Sequence, residues 1–213
     1  MHVDLSHTVE HGMTTYPGLP GPLICDFLSR EDSRGKYGEG VEFQIGKIEM
    51  VANTGTYVDA PSHRWADGVD LAGLPLDRLA GREIVLVDAA GATAIDADAF
   101  AGLDVGGKAV LVRTGWDRHW GTDTYLSGNP FLTESAASEL VERGAAIVGI
   151  DSLNIDDLGD LMRPVHSQLL GAGIPIVEHL TALDGVTVGT RFFAVPVKVR
   201  GMGTFPVRAF ALG

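Results

Sequence analysis

The sequence has a single cysteine, Cys25, among 213 residues. One thiol excludes both a disulfide framework and a zinc site built from cysteines, and its apolar neighbours favour a buried structural role. Clusters of basic residues are also missing, because 16 Lys and Arg stand against 28 Asp and Glu, a formal net charge of −12. We therefore expect neither nucleic acid nor an anionic membrane surface as a partner.

Long apolar runs and targeting signals are absent as well. No stretch approaches the ~18 apolar residues of a membrane span, and segment 1–13 lacks the basic and apolar parts of a signal peptide. Hydrophobic residues make up 45% and charged residues 21%, which is typical of a globular protein. No repeat or linker divides the chain, so we expect a single cytoplasmic domain over residues 1–213.

Three short apolar runs, Ile84–Val87, Ala109–Val112 and Ala145–Ile150, predict strands that are buried on both faces. Helices are predicted over Thr133–Arg143, which begins with a capping threonine, and from Pro164 to a glycine turn near residue 171. Further predicted strands are His2–Ser6, Val41–Ala52 with a bulge, Ile174–Val177, Arg191–Lys198 and Pro206–Leu212. Together these segments indicate a β-rich α/β domain.

Several familiar enzyme signatures are missing. The chain has no Gly-x-Ser-x-Gly elbow, no phosphate loop and no dinucleotide fingerprint after a strand. The acidic stretch Asp151–Asp160 lacks the glutamate that closes a calcium loop, since Met162 stands at that position. We therefore interpret this stretch as a solvated polar loop.

The segment Asn53–His63 reads N-T-G-T-Y-V-D-A-P-S-H and is the most informative in the chain. Its glycine allows a left-handed turn, and the residue before Pro61 is restricted to extended backbone, so the loop has a fixed shape. A rigid loop that presents the Asp59 carboxylate and the His63 imidazole is suited to acid–base chemistry. A turn in which Asp59 only caps a backbone group is the alternative.

A second cluster lies more than a hundred residues later. His166 falls in the second predicted helix, and Glu178 ends a predicted strand beside His179. Alone, His166 is an ordinary surface or core histidine. Combined with Asp59, these residues are the raw material of a divalent-metal site.

The two segments resemble the signature of the cyclase family, which includes bacterial kynurenine formamidases and isatin hydrolases. That signature runs His-x-Gly-Thr-His-x-Asp-x-Pro-x-His, usually with one more residue after the first His. It is matched from Asn53 to His63. Further matches are Asp4–His7, Thr15–Gly18, Arg113–Trp116, Gly149–Ser152 and the later segment with His166 and Glu178.

The resemblance implies an amide-hydrolysing metalloenzyme that holds one or two divalent ions, commonly zinc or manganese. By position, Asp59 is the shared ligand, His166 and Glu178 complete the second site, and His63 is the acid/base. The implied fold is a cyclase-like swivelling β/β/α domain with a barrel-like mixed sheet flanked by helices. The implied assembly is a homodimer or homotetramer.

The chain departs from the family at two metal ligands, because Asn53 and Tyr57 stand where the signature has histidines. An amide and a phenol are poor zinc ligands, so the first site is expected to be empty. Asp59, His166 and Glu178 then predict either one divalent ion, zinc or manganese, or a metal-free site.

The two residues that replace the histidines, Asn53 and Tyr57, can still take part in catalysis or substrate binding. We expect Tyr57 to donate to a developing oxyanion beside Asp59 and His63. Asn53 and Trp65 are expected to contact substrate, the first through its amide and the second as an aromatic wall.

The leading interpretation is a hydrolase-like enzyme that acts on a small amide or cyclic carbonyl compound by water attack, with His63 as acid/base. One alternative is a metal-free cyclase, dehydratase or isomerase that uses Tyr57 and His63. Another is a non-catalytic protein that binds a small ligand in the same cavity.

Overall fold

The computed structural model describes residues 1–213 and contains thirteen strands and four α-helices. The strands are β1 (His2–Asp4), β2 (Leu23–Leu28), β3 (Ile45–Glu49), β4 (Tyr57–Asp59), β5 (Ala80–Asp88), β6 (Ala94–Ile95), β7 (Ala109–Arg113), β8 (Phe131–Leu132), β9 (Ile147–Ile150), β10 (Ile176–Glu178), β11 (Arg191–Phe193), β12 (Thr204–Pro206) and β13 (Phe210–Leu212). The helices are α1 (Arg30–Ser33), α2 (Leu76–Leu79), α3 (Glu134–Glu142) and α4 (Pro164–Gly171). None of the helices is both long and apolar enough to cross a membrane.

Nine strands form one mixed sheet in the order β1-β13-β11-β5-β7-β9-β10-β4-β12. Its centre is parallel, with β5, β7, β9 and β10 side by side, and the outer pairs are antiparallel. The parallel strands contain the three apolar runs, because strands with both faces covered need apolar side chains on both. The predicted β-rich α/β fold with a mixed sheet is therefore confirmed.

The sheet curls without closing. Leu5, which follows the edge strand β1, lies in the same buried cluster as Val58 of β4, near the opposite edge. The backbone of Leu5 also accepts a hydrogen bond from Thr181, just after β10. This curvature encloses one core, which accounts for the barrel-like shape.

A second core lies on the other face of the sheet. Strand β7 contributes to both, with Leu111 in one cluster and Val112 in the other. Helices α3 and α4 cover this second face. The Thr133 side chain caps α3 and Pro164 opens α4, so both predicted helices are confirmed.

Two local predictions are wrong. The long strand predicted over Val41–Ala52 is reduced to β3, which pairs only with β2 in a two-stranded arm, and its irregularity lies on β2. Cys25 on β2 is exposed rather than buried. Alternating apolar residues usually indicate a strand with one packed face, but no other strand pairs with this arm, and its apolar side chains Ile24, Phe27 and Ile48 are exposed.

The last predicted strand, Pro206–Leu212, is also split. Strand β12 pairs with β4, whereas β13 pairs with β11 and β1. The period-2 pattern identifies extended chain but not the neighbour to which it pairs. This split matters for the site, because it places β12 directly beside β4.

Candidate active site

Strand β4 is the centre of the site and lies between β10 and β12. Its register places Tyr57 opposite Glu178 on one side and Asp59 opposite Thr204 on the other. Gly55, in a left-handed conformation with φ 65°, leads into the strand, and the 3-10 turn Pro61–His63 follows it. The rigid loop predicted from the sequence is therefore two turns around a short buried strand.

A cavity of about 410 Å³ opens beside this strand. Its lining comes from the loop at residues 16–19, from the β4 region, from the segment between β9 and α4, from α4 itself and from the end of β10. The lining residues are Tyr16, Pro17, Gly18, Leu19, Asn53, Tyr57, His63, Arg64, Asn154, Arg163, His166 and Glu178. Asn53 and Tyr57 thus face the same cavity as His63. Asp59 lies directly behind its wall and has no exposed surface.

His63 is oriented by a hydroxyl group. Its Nδ1 atom lies 2.8 Å from Oγ1 of Thr204 and 3.7 Å from Oδ1 of Asp59, while 35% of the side chain stays exposed. Thr204 donates its only hydroxyl proton to Asp59 Oδ1. The threonine oxygen must then accept from His63, so Nδ1 carries a ring proton and Nε2 is the ring nitrogen left without a protein partner.

Thr204 was not identified from the sequence. It lies 145 positions from Asp59, in a strand with no motif around it. Only the register between β4 and β12 makes the two residues neighbours.

His166 lies among three carboxylates. Its Nδ1 atom is 2.6 Å from Oδ2 of Asp156, and its Nε2 atom is 3.7 Å from both Asp59 Oδ2 and Glu178 Oε1. A carboxylate behind one imidazole nitrogen fixes the ring and directs the other nitrogen toward the site, the arrangement found behind metal-binding histidines. Asp59, His166 and Glu178 therefore converge although they are distant in the sequence.

Asp156 was missed, and the interpretation of Asp151–Asp160 as a solvated loop is wrong for its first six residues, whereas residues 157–160 are largely exposed as predicted. Residues 151–156 are buried. Asp156 accepts hydrogen bonds from the backbone amides of Val165 and His166 at the start of α4, and Asp151 accepts from the amide of Thr114. Burial of these carboxylates is tolerated because backbone N–H groups satisfy them. An acidic composition alone does not reveal such partners.

Tyr57 and Glu178 form a buried pair. The phenol donates to Glu178 Oε2 at 2.6 Å, and the backbone amide of Ile155 donates to Oε1 at 2.7 Å. Burial, together with the nearby Glu178 charge, raises the pKa of Tyr57 well above its usual value, so the phenol keeps its proton. That proton is directed at Glu178 and not into the cavity, which differs from the oxyanion-donor role expected from the sequence.

The electrostatics of the cluster follow from its burial. Burial raises the pKa of Glu178 to about 7, although the charge on His166 opposes the shift. Burial lowers the pKa of His166, but the hydrogen bond to Asp156 and the nearby carboxylates of Asp59 and Glu178 outweigh it and raise the value to about 10. Burial also raises the pKa of Asp59, yet His166 and His63 reverse the shift and hold it below the ordinary value. Three buried carboxylates thus surround one imidazolium.

The donor set fits a divalent cation. The Oδ2 atom of Asp59 is buried and has no hydrogen-bond partner, and an excess of buried negative charge is costly unless a cation compensates it. The ligand atoms of Asp59, His63 and His166 all lie within 4.8 Å of one another. This set differs from the expected one because it contains His63 in place of Glu178, whose two oxygens already accept hydrogen bonds. Asp59 and His166 belong to both sets.

Trp65 does not line this cavity. Its indole N–H donates to the backbone oxygen of Ser167, and the guanidinium of Arg64 lies 4.8 Å from its ring centre. The 3-10 turn at Pro61 directs the chain so that Trp65 packs on the outer side of α4. The expected aromatic wall is therefore absent, and Arg64, its neighbour, faces the cavity instead.

Comparison with known proteins places this geometry in a family. The family model for Cyclase matches residues 3–157. A kynurenine formamidase of Bacillus cereus is 29% identical over 209 residues, which cover 97% of this chain and 95% of the relative. Another, from Bacillus cytotoxicus, is 27% identical with the same coverage.

Solved structures agree. A protein described as a potential metal-dependent hydrolase with cyclase activity superposes with a TM-score of 0.78 at 26% identity, covering 99% of this chain and 96% of the other. Isatin hydrolase A from Labrenzia aggregata, solved with benzyl benzoate, gives 0.83 at 24% identity, with 99% and 93% coverage, and supports the fold. Because the family model spans well over half of the sequence and the relatives align along nearly all of it, the chain belongs to the cyclase family of hydrolase-type enzymes.

Proposed function

We propose that this enzyme hydrolyses the C–N bond of a small amide, either a formamide or a cyclic amide. The names of the relatives, a formamidase and an isatin hydrolase, support this class of substrate. The cavity of about 410 Å³ suits a compound of one or two rings. The acyl carbon would lie near His63, the most exposed ring of the polar cluster.

The observation that carries the proposal is the chain of contacts from Asp59 through Thr204 to His63. It holds Nδ1 of His63 and leaves Nε2 to act as the base at the cavity. This nitrogen takes a proton from a water molecule, whose oxygen attacks the carbonyl carbon. The same nitrogen then returns the proton to the leaving nitrogen, so that the C–N bond breaks without an unstable amide anion.

Asp59 and His166 would hold a divalent ion, and Glu178 would be the third ligand, because each of its oxygens accepts only one hydrogen bond and keeps a second lone pair. When bound, such an ion supplies a Lewis acid that polarises the carbonyl and lowers the pKa of water. Asp156 fixes the His166 ring from behind. With these three ligands, His63 is not needed to bind the ion and is free to transfer protons.

Asn53 and Tyr57 shape the other wall of the cavity. The amide of Asn53 offers an N–H group to a substrate carbonyl oxygen. Tyr57 acts through Glu178, to which it donates, and so keeps one oxygen of this buried carboxylate from accepting a proton or a substrate N–H group.

A second candidate is a metal-free cyclase, dehydratase or isomerase. It is favoured by one observation, namely that the Tyr57–Glu178 pair and His63 line the same cavity, where Glu178, whose pKa burial raises to about 7, can carry the proton. Acid and base on one substrate suffice to move a proton between two carbon or oxygen positions.

The test is hydrolysis of formanilide and of a small cyclic amide by tag-free protein, with metal content measured by elemental analysis. Hydrolysis that is lost on chelation and restored by zinc or manganese supports the metal-assisted hydrolase. Hydrolysis that persists in metal-free protein supports a metal-free mechanism. The variant His63→Gln should lose at least about 100-fold in kcat, the scale of general acid–base catalysis. Binding without turnover across the panel would leave only the ligand-binding alternative.

A further inference from the structure

Arg163 is a feature of the cavity that the reaction does not use. It immediately precedes α4 and has φ 51° and ψ 58°, a left-handed backbone in a residue other than glycine. Such a conformation is strained in a residue with a Cβ atom, and the following Pro164 restricts the backbone further. Strain of this kind persists where the surroundings hold it, and here it directs a guanidinium group to the cavity wall.

The partners of Arg163 are neutral. One nitrogen donates to Oδ1 of Asn154 at 2.9 Å, and another donates to the hydroxyl of Tyr16 at 3.2 Å. Asn154 is only 6% exposed and its Oδ1 also accepts from the amide of Asp156, so the guanidinium rests on a rigid support. These two bonds use two of the five N–H donors of an arginine. No carboxylate lies within ion-pair distance of Arg163, in a chain that carries 28 acidic residues.

Arg64 is a second arginine at the same cavity whose hydrogen-bond partners are neutral. Its Nε donates to the hydroxyl of Ser167, its guanidinium lies over the ring of Trp65, and it too forms no ion pair with a carboxylate. The cavity thus has two guanidinium groups with free donors at its wall. The buried acidic cluster around Asp59 lies at its base. An anionic group is attracted to these two guanidinium groups.

We propose that Arg163, supported by Asn154 and Tyr16, binds a carboxylate of the substrate, with Arg64 as a second cation at the rim. The substrate class is therefore a small amide that carries a carboxylate. This inference rests on the proposed function for the reacting group. A planar fork of donors matches the two oxygens of a carboxylate, and the partly buried setting strengthens the pair. Pro17 and Leu19 supply apolar contact for the body of the substrate.

The first test is binding, measured by calorimetry with benzoate and benzamide, which differ in charge and little in shape. Each protein is used as purified, with its metal content measured, because a carboxylate also binds metal. The parent should bind benzoate at least about tenfold more tightly than benzamide, the scale of a hydrogen bond to a charged group. Arg163→Gln should reduce that preference about tenfold or more at equal metal content. Arg163→Lys, which keeps the charge without the fork, should give an intermediate preference.

Arg208→Gln is the matched control, because Arg208 is a highly exposed arginine whose partner is Asp4, far from the cavity. It should keep the parent's preference. If Arg163→Gln does not fold, the preference for benzoate over benzamide is compared between the parent and Arg163→Lys. A preference that is unchanged in the folded Arg163 variants, or that is absent from the parent, overturns the proposal.

The second test compares hydrolysis of N-formylanthranilate and formanilide, which differ by one carboxylate. The ratio of the two kcat/KM values should favour the carboxylated compound in the parent and should fall about tenfold or more in Arg163→Gln. If neither these compounds nor the cyclic amide is hydrolysed, the proposed function fails, while benzoate binding that depends on Arg163 still supports the anion site. If both are hydrolysed with a ratio that Arg163→Gln does not change, the function stands and the anion site is overturned.

Discussion

Tyr57 and Glu178 are direct cross-strand partners, and the phenol of Tyr57 donates a 2.6 Å hydrogen bond to the Glu178 carboxylate. The cyclase signature has a histidine at the position of Tyr57, as the sequence comparison indicated. In this protein Tyr57 donates to one oxygen of the buried Glu178 carboxylate, and the backbone amide of Ile155 donates to the other. Tyr57 thus supports the neighbouring carboxylate instead of directing its hydroxyl group into the cavity.

Removal of the Tyr57 hydroxyl should destabilise the protein. Tyr57→Phe leaves the buried Glu178 short of a donor, which should lower the free energy of unfolding by about 1–3 kcal/mol. Tyr125→Phe is the matched control, because Tyr125 is equally buried and its hydroxyl lies 2.8 Å from a neutral imidazole, Nδ1 of His179. Urea unfolding should show the smaller loss for Tyr125→Phe. Equal losses would mean that the charge of Glu178 adds nothing to the bond.

Thr204 is predicted to position His63. Thr204→Val removes the hydroxyl that orients the ring, so kcat should fall about 10–100-fold while KM changes little. Thr204→Ser should restore most of the rate and the shape of the pH profile. Thr190→Val, which removes a hydroxyl bonded only to a backbone oxygen, is the control. A serine variant as slow as the valine variant would contradict the positioning role.

Metal content should separate the roles of the two histidines. His166→Gln should lose the bound ion, whereas His63→Gln should keep about one ion per chain and lose activity. His2→Gln, which changes an exposed histidine on β1, controls for surface binding. Elemental analysis of tag-free protein gives the stoichiometry. Loss of the ion from both variants would assign His63 to the ligand set with Asp59 and His166.

The double change Asn53→His and Tyr57→His should add a metal site. Both side chains face the cavity beside Asp59, and two imidazoles with one carboxylate form a sufficient ligand set for zinc or manganese. Calorimetry should show about one more divalent ion per chain than in the parent. Activity need not return, because the groups that would orient the new imidazoles are missing. Asn53→Gln with Tyr57→Phe is the non-ligating control, and equal stoichiometry in folded parent and double-histidine variant would remove these residues from ligand positions.

Stability should fall as the pH decreases from about 6.5 to 4, in part because of His7. Burial lowers the pKa of His7 to about 4, against an opposing effect of Asp117, while the unfolded chain titrates near 6.5. In that window the unfolded state binds more protons, so acid favours unfolding. The ring stacks on Trp120 at 3.9 Å, and His7→Phe keeps the stacking without the titration.

The comparison of the two proteins isolates this contribution. The parent should lose more unfolding free energy than His7→Phe as the pH falls, by less than the ~1.4 kcal/mol per pH unit of one fully shielded group, since the ring is partly exposed. Urea unfolding at a series of pH values measures the difference. Parallel pH profiles would show that His7 takes up its proton in the folded state.

Structural elements that are specified by neighbouring residues could be predicted from the sequence. Helix α3 follows from a capping threonine and an amphipathic run, and the central strands follow from apolar runs of fitting length. The shape of the loop from Gly55 to His63 follows from its glycine and proline. The convergence of His166 and Glu178 with Asp59 was expected only from the resemblance to a family.

Other features were decided by tertiary structure alone. Thr204 reaches Asp59 because β12 pairs with β4, Asp156 lies behind His166 because its loop is buried under α4, and Arg163 faces the cavity because Asn154 and Tyr16 hold it there. Each of these contacts joins segments whose own sequences carry no sign of the other. Hydrophobic periodicity and turn residues specify local backbone, but which polar side chains meet depends on strand register and on the curvature of the sheet, and both are set by packing of the whole core.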